Sequence, residues 1–143
     1  MPVIDVVSDA NVALKWFHAE GEEEVEAARD LLGAHRDRRL TLSVLDLTSY
    51  EIGNALMRGR AEARADQTAT VLEALAAICP ALQPSPHELR RAAELAERRD
   101  LTLYGATYAA VAETREAALA TLDGALLAAG LGARPAELLA AFS

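Results

Sequence analysis

The sequence predicts a single α/β domain over residues 1–143, with a mainly parallel central sheet between two layers of helices. Short apolar runs alternate along the chain with longer segments whose apolar residues recur every three or four positions. This alternation is typical of a parallel sheet, because a helix that packs on the sheet joins each strand to the next. Apolar residues make up 52% of the chain, which is enough for a core without disulfides.

The first three elements follow from local patterns. Residues 3–8 form a β-branched run that ends just before Asp9, and Leu40–Leu45 is a second such run. Between them, residues 22–34 carry acids in the first turn and apolar side chains at helical spacing. We therefore expect a strand, a helix and a second strand.

A capping box marks the next predicted helix. Thr48 and Glu51 match the pattern in which a threonine hydroxyl and a glutamate three residues later bond each other's backbone N–H groups. The helix should continue to about Arg60. Residues 66–78 then show helical spacing, and Pro80 prevents this second helix from continuing.

A second capping box is formed by Ser85 and Glu88, with a proline at the first helical position. It predicts a helix over Pro86–Arg99 with well-defined bounds. Residues 81–83, just before it, are expected to form a brief strand.

The C-terminal part continues the alternation. Residues 101–103 are strand-like, residues 104–116 are alanine-rich and helical, and residues 118–122 form a strand that ends at Asp123. Two short helices complete the chain, at residues 124–129 and 135–142.

Charge and cysteine content limit the possible functions. The net charge of −8 argues against a broad electrostatic grip on nucleic acid, although arginine clusters at residues 36–39, 58–64 and 90–99 permit a local one. Cys79 is the single cysteine, which excludes internal disulfides and thiolate zinc sites. With no secretory leader or membrane-spanning stretch in the sequence, we expect a cytoplasmic protein with no membrane partner.

Three acids could form a site. Asp9 and Asp123 each follow a predicted strand, and parallel strands bring their carboxyl ends to one edge of the sheet. Glu51, one turn into its helix, can lean toward the same edge. A cluster of carboxylates suits Mg²⁺ or Mn²⁺, which points to phosphodiester hydrolysis, and Asn11 could position a water or a phosphate oxygen.

Each of these residues also has a purely structural interpretation. The capping box alone explains Glu51, while Asp9 and Asp123 could be turn or cap residues. Asn11 could equally cap the short helix that follows. Their joint occurrence favours a site over these separate explanations.

Four segments together resemble the PIN-domain family, in particular the VapC-type toxins of bacterial toxin–antitoxin pairs. Their sequences are Asp-Ala-Asn-Val-Ala-Leu-Lys-Trp-Phe at 9–17, Glu-Ile-Gly-Asn-Ala-Leu at 51–56, Leu-Thr-Leu-Tyr-Gly-Ala-Thr-Tyr-Ala-Ala-Val-Ala at 101–112, and Ala-Thr-Leu-Asp at 120–123. No single segment is specific, but their order, their spacing and the chain length are.

The resemblance implies a three-layer α/β/α domain that cleaves RNA with Mg²⁺ or Mn²⁺. It also implies a homodimer, inhibited by a cognate antitoxin whose C-terminal segment covers the active site. Asp9 and Asp123 would then be acidic metal ligands or water-positioning groups, and Glu51 would complete the acidic cluster.

One position departs from the family pattern. The family's usual Tyr-Asp-Ala is Tyr-Gly-Ala here, with Gly105 in place of an aspartate that commonly ligates the metal. Nothing in the local sequence requires glycine. Asp100 is close in sequence but precedes the strand-like residues 101–103, which makes it a poor substitute.

Three explanations of Gly105 remain open: an engineered change that removes toxicity, a natural loss of activity, or a variation in which the other three acids still hold an ion. The leading hypothesis is a VapC-like ribonuclease impaired at Gly105. The alternative is a non-catalytic PIN relative that binds an antitoxin or serves in assembly, and a third is an unrelated α/β domain in which every acid is a cap or a turn residue.

Overall fold

The computed structural model describes residues 3–18, 24–59 and 61–142 and confirms the α/β prediction. Its strands form one parallel sheet in the order β3-β2-β1-β4, with helices on both faces. A 3₁₀ turn at Leu14–Trp16 follows the first helix. The strands are β1 (Ile4–Ser8), β2 (Leu40–Leu45), β3 (Ala81–Leu82) and β4 (Ala118–Ala120), and the helices are α1 (Ala10–Ala13), α2 (Val25–Arg36), α3 (Thr48–Arg58), α4 (Ala65–Ile78), α5 (Pro86–Arg99), α6 (Leu103–Thr114), α7 (Gly124–Ala128) and α8 (Pro135–Phe142).

The sheet separates two hydrophobic clusters. One cluster joins its strands to α2, α3, α4 and α8 and includes the fully buried Leu31, Leu42 and Ile52. The other lies against α5, α6 and α7 and includes Val7 and Leu119. Because the strands supply buried side chains to both clusters, their sequences are runs of apolar residues.

Several predicted boundaries were wrong by one or two residues. Within the described residues α2 begins at Val25, whereas the predicted start at Glu22 lies outside them, as does Arg60, the predicted end of α3. Helix α4 begins at Ala65, because the Arg64 backbone N–H donates to the side chain of Gln67 at 2.9 Å. Its predicted end at Ile78 is confirmed.

The predicted strand-like segment at 101–103 is wrong. The Thr102 hydroxyl accepts a hydrogen bond from the Gly105 N–H at 3.1 Å and starts α6, so Leu103 is helical. Helix α6 also ends earlier than predicted, at Thr114. Two predicted strands are shorter than expected, since β3 omits Gln83 and β4 ends at Ala120.

The two capping boxes have different outcomes. At Ser85 both hydrogen bonds form, the Glu88 N–H donating to the Ser85 hydroxyl at 3.1 Å and the Ser85 N–H donating to the Glu88 carboxylate at 2.9 Å. At Thr48 the box is wrong, because Leu47 is the N-cap residue and Thr48 already lies within α3. The capping explanation of Glu51 is therefore removed.

Cys79 is buried, and burial raises the pKa of its thiol to about 11, so the reactive thiolate is scarce at neutral pH. In the three described ranges, no helix is long and apolar enough to cross a bilayer.

Glu88 ties together two helices of the second cluster, α5 and α6. Its side chain is buried, accepts hydrogen bonds from the Arg115 guanidinium at 3.0 Å on both carboxylate oxygens, and is bonded to the Thr114 hydroxyl. Mainly because of the bonds from Arg115, the pKa of this carboxyl falls from 4.5 to about 2. The ionised carboxylate thus fixes the N-terminus of α5 to the C-terminal end of α6.

We predict that Glu88→Gln lowers the free energy of unfolding at pH 7 by about 2 to 3 kcal/mol, a range set below that of a fully buried pair because Arg115 is partly exposed. Since the folded-state pKa is lowered, the stabilisation is present above pH 4.5 and is lost as the pH falls toward 2. Urea unfolding at pH 7 and pH 3 should show the difference between the proteins shrinking at pH 3. Glu97→Gln, an exposed change on the same helix, should have an effect within about 0.5 kcal/mol. Equal effects of the two variants would contradict the role of Glu88.

Candidate active site

Asp9 lies at the carboxyl end of β1, and its N–H and both of its carboxylate oxygens are hydrogen-bonded. Its N–H donates to the Ala120 carbonyl at 2.9 Å, which continues the pairing of β1 with β4. Its Oδ1 accepts from the Ala10 N–H at 2.7 Å and caps α1, and its Oδ2 accepts from the Thr121 hydroxyl at 2.8 Å. The carboxylate is thus fixed between two strands and a helix start, with 6% of the residue exposed.

Asp123 lies at the same edge of the sheet and caps α7, its Oδ1 accepting from the Ala125 N–H at 2.9 Å. Its own N–H donates to the Thr121 hydroxyl oxygen at 3.0 Å. The fully buried Thr121 therefore bonds the Asp9 carboxylate and the Asp123 backbone with a single oxygen. Gly132 permits this arrangement, because a Cβ there would lie 2.7 Å from the Thr121 methyl carbon.

Glu51 reaches the edge through a chain of hydroxyl groups. The Leu45 N–H donates to the Thr48 hydroxyl at 3.0 Å, and that hydroxyl lies 2.6 Å from the Tyr108 hydroxyl. Tyr108 in turn donates to Glu51 Oε1 at 2.8 Å. Because tyrosine has one hydroxyl proton and Glu51 receives it, Thr48 is the donor to Tyr108. The chain orients Glu51 and explains why Thr48 does not cap α3.

Asn11 is a bridging residue and not a helix cap. Its Oδ1 accepts a hydrogen bond from the Leu122 N–H at 3.2 Å, linking α1 to the loop after β4. Asp9, and not Asn11, caps α1. With Oδ1 pinned to the backbone, the amide NH₂ group points away from this bond.

Gly105 faces the same cluster from the first turn of α6. A Cβ built on this residue would lie 3.6 Å from Asp123 Oδ2 and 3.4 Å from the Thr102 hydroxyl oxygen. These are ordinary contacts or close to them, and Gly105 has no positive φ, so neither space nor backbone conformation requires glycine. A longer acidic side chain at this position would extend beside Asp123.

The acids influence one another electrostatically. Burial and then the nearby negative charge of Asp123 raise the pKa of Asp9, against lowering by its hydrogen bonds. Burial also raises the pKa of Glu51, with a further contribution from Asp9. The pKa of Tyr108 is raised chiefly by burial and also by both acids.

No positive charge balances this edge in the part of the chain that the structure describes. None of its ion pairs there involves Asp9, Glu51 or Asp123. Within the same residues, no three acidic, histidine or cysteine side chains are close enough to form a complete metal site. The edge therefore has the carboxylate oxygens that hard divalent ions prefer, but it is short of a third close ligand.

Asp100 does not replace the missing carboxylate. It is exposed and adopts a left-handed conformation with φ of 55°, where it ends α5. Asp100 is the C-cap residue of α5 and precedes Thr102, the N-cap residue of α6.

Sequence reasoning missed Thr121 and Tyr108. Thr121 stands in a segment with no cap or turn signal, and its partner Asp9 is 112 residues away. Tyr108 had one usable signal: it is the large polar side chain in an otherwise small and apolar buried stretch of α6, and a buried tyrosine hydroxyl needs a partner.

The fold and the acidic edge define a class of three-layer α/β proteins with carboxylates gathered at the carboxyl ends of parallel strands. The family model for the PIN domain matches residues 6–130, and the chain belongs to the PIN domain family. The resemblance to VapC-type proteins is also confirmed. Exonuclease VapC9 of Pyrobaculum aerophilum is 38% identical over 114 residues, which cover 76% of this chain and 84% of that protein.

Solved structures agree with the assignment. The crystal structure of PAE2754 from Pyrobaculum aerophilum matches with a TM-score of 0.69 and 29% identity, covering 97% of this chain and 95% of its own. Mycobacterium tuberculosis VapC20, a sarcin-ricin loop cleaving toxin, matches with a TM-score of 0.66 and 18% identity over 87% of this chain and 95% of its own. Rickettsia felis VapBC2, bound to a promoter DNA fragment, matches with a TM-score of 0.66 and 12% identity over 90% and 96%. The last two identities are low and support the fold alone.

We predict that Thr121→Val lowers the free energy of unfolding by about 1 to 3 kcal/mol, because Asp9 Oδ2 and the Asp123 N–H both lose a partner. Thermal and urea unfolding measure the change. Thr41→Val on β2 makes the same chemical change at a less buried position and should shift stability by no more than about 0.5 kcal/mol. A Thr121→Val protein as stable as the control would show that this hydroxyl does not hold the two strand ends together.

Proposed function

We propose that this chain is a VapC-type endoribonuclease that hydrolyses RNA phosphodiester bonds with Mg²⁺ or Mn²⁺, and that Gly105 impairs its activity. The observation that carries the proposal is the position of Gly105, whose missing side chain would lie beside Asp123 at an edge already occupied by Asp9. The surroundings of position 105 are acidic, whereas glycine itself carries no charge.

The residues present fit a hard divalent ion in their chemistry. Asp9 and Asp123 would hold it, and Glu51 would complete the negative cluster. Burial first, and then the neighbouring acids, raise the pKa values of Asp9 and Glu51, and a bound cation would offset both effects. When bound, such an ion activates water and stabilises the charge that develops on the phosphoryl oxygens.

The protein's own groups prepare this edge. Thr121 and Ala10 each hold one oxygen of Asp9 in a fixed direction, and Tyr108 holds one oxygen, Oε1, of Glu51. Asn11 keeps the loop after β4 against α1, and its amide NH₂ group is suited to hold a water or a phosphate oxygen. These contacts fix the acids before any substrate arrives, which is the condition for electrostatic catalysis.

Loss of the carboxylate at position 105 should weaken ion binding by at least the 10- to 100-fold typical of changes to outer-shell partners. Residual activity would depend on Asp9, Glu51 and Asp123 alone. Whether an engineered change or a natural loss produced Gly105, the expected activity is the same.

We further propose a homodimer that acts on RNA in the cytoplasm and is inhibited by a cognate antitoxin. The resemblance to VapC-type toxins supports this, with membership of the PIN domain family and 38% identity to Exonuclease VapC9. The relative named Exonuclease VapC9 raises the question of cleavage mode, which a circular RNA answers because only an endonuclease can cut it.

A second candidate function is a non-catalytic PIN protein that binds an antitoxin or serves in assembly. Gly105 favours it, together with the net charge of −8, which suits a basic partner better than RNA. Metal-dependent cleavage by the unaltered chain, abolished by Asp9→Asn, would exclude this function.

We predict that Gly105→Asp raises the rate of RNA cleavage with Mg²⁺ or Mn²⁺ at least about ten-fold, because it supplies the missing anionic group beside Asp123. The substrate is a labelled RNA, linear and circular, and the readout is its cleavage with and without EDTA. Gly105→Asn is the matched control, since it has nearly the same size without the charge, and it should not raise the rate.

One outcome would contradict the nuclease proposal, and another would contradict the role of the charge at position 105. If neither this chain nor Gly105→Asp cuts any RNA, and neither binds the ion by calorimetry, the nuclease proposal fails. If Gly105→Asn is as active as Gly105→Asp, the negative charge is not what the position lacks.

A further inference from the structure

A groove of about 1010 Å³ runs along α3 and reaches the acidic edge. Helix α3 supplies one wall, α4 supplies another, and the first turn of α6 closes the end near Glu51. Glu51 itself lines the groove, so the groove and the candidate active site are continuous. The volume is at the upper end of the range for sites that bind small molecules, on the order of 300 to 1,000 Å³.

Two exposed tyrosines border this groove. Tyr50 is 81% exposed and Tyr104 is 67% exposed, whereas the third tyrosine, Tyr108, is fully buried. Each exposed ring stands immediately before a site position in the sequence, Tyr50 before Glu51 and Tyr104 before Gly105. Both rings therefore belong to the groove that Glu51 also lines. Exposed aromatic rings in such a groove are typical surfaces for stacking unpaired bases.

The groove also contains polar groups suited to a nucleotide. Arg58 is the lining residue with a positive charge, it is exposed, and the structure gives it no ion pair among the described residues. The Thr68 hydroxyl lies buried at the floor and is the one buried side-chain polar atom in the described chain without a hydrogen-bond partner. A backbone phosphate matches Arg58.

We infer that this groove binds the nucleotides of single-stranded RNA that flank the cleaved bond, with bases stacked on Tyr50 and Tyr104 and a phosphate at Arg58. The inference rests on the proposed function, because a strand cut at the acidic edge must lie across the surface continuous with Glu51. An RNA ligand accounts for the exposed rings, the arginine and the continuity with the acids together.

Binding of a fluorescein-labelled octa-adenylate, measured by anisotropy in EDTA at fixed salt, tests the groove without any cleavage. Tyr50→Ala and Tyr104→Ala should each weaken binding at least about five-fold, which is the lower end of the stacking contribution of one ring. Tyr50→Phe and Tyr104→Phe keep the stacking face and should bind within about two-fold of the unaltered chain. Arg58→Gln should reduce the salt dependence of RNA affinity by the amount expected for the loss of about one phosphate contact.

Several results would overturn the inference. The first is an alanine variant that binds RNA as tightly as the unaltered chain. The second is a phenylalanine variant whose RNA affinity falls as far as that of the matching alanine variant. Dissociation of a dimer on Tyr50→Ala, measured by analytical ultracentrifugation, with RNA affinity unchanged would assign the groove to a second copy of the chain. Loss of binding to a basic peptide with RNA affinity unchanged would assign it to a protein partner.

Failure of the groove inference can be distinguished from failure of the proposed function. If neither this chain nor Gly105→Asp cuts RNA or binds the ion, but the tyrosine variants lose RNA binding, the groove is retained and the nuclease proposal fails. If Gly105→Asp cuts RNA and adding either tyrosine-to-alanine change leaves its KM unaltered, the groove inference alone fails. Because both rings are exposed, their removal leaves the core intact, and circular dichroism of each variant checks this.

Discussion

The hydrogen bond from the Thr121 hydroxyl to Asp9 is the contact on which the site depends. It joins the ends of two neighbouring strands that lie 112 residues apart in sequence, and the same oxygen accepts from the Asp123 backbone. Parallel pairing of β1 with β4 brings these segments together, but it does not fix where the carboxylates point. Thr121 holds both acids, because its hydroxyl donates to the Asp9 carboxylate and accepts from the Asp123 backbone N–H.

This arrangement concentrates negative charge at a partly buried edge. The raised pKa values of Asp9 and Glu51 express the resulting cost, since burial and neighbouring acids both oppose ionisation. Functional sites commonly retain such unfavourable electrostatics because a ligand compensates for them. With glycine at position 105 the edge carries one negative charge fewer than an aspartate would give it. This relieves repulsion and, under the proposed function, would also weaken the binding of a cation.

The two capping-box sequences show what sequence can and cannot predict. At Ser85 the partners lie within one helical turn, so local sequence sufficed and the helix bounds were correct. At Thr48 the same motif failed, because Leu45 and Tyr108 compete for the threonine hydroxyl, and Tyr108 is 60 residues away. The edge that gathers Asp9 and Asp123 was predictable from parallel topology, whereas Tyr108 and Thr121 depend on long-range contacts that no local pattern records.

Binding of Mn²⁺ by this chain, Gly105→Asp and Gly105→Asn, measured by calorimetry at one pH, tests the central claim most directly. An edge that lacks a single carboxylate predicts that Gly105→Asp binds the ion at least about ten-fold more tightly than the other two, which should be alike. Equal affinity of all three proteins, or equal gains from aspartate and asparagine, would contradict it.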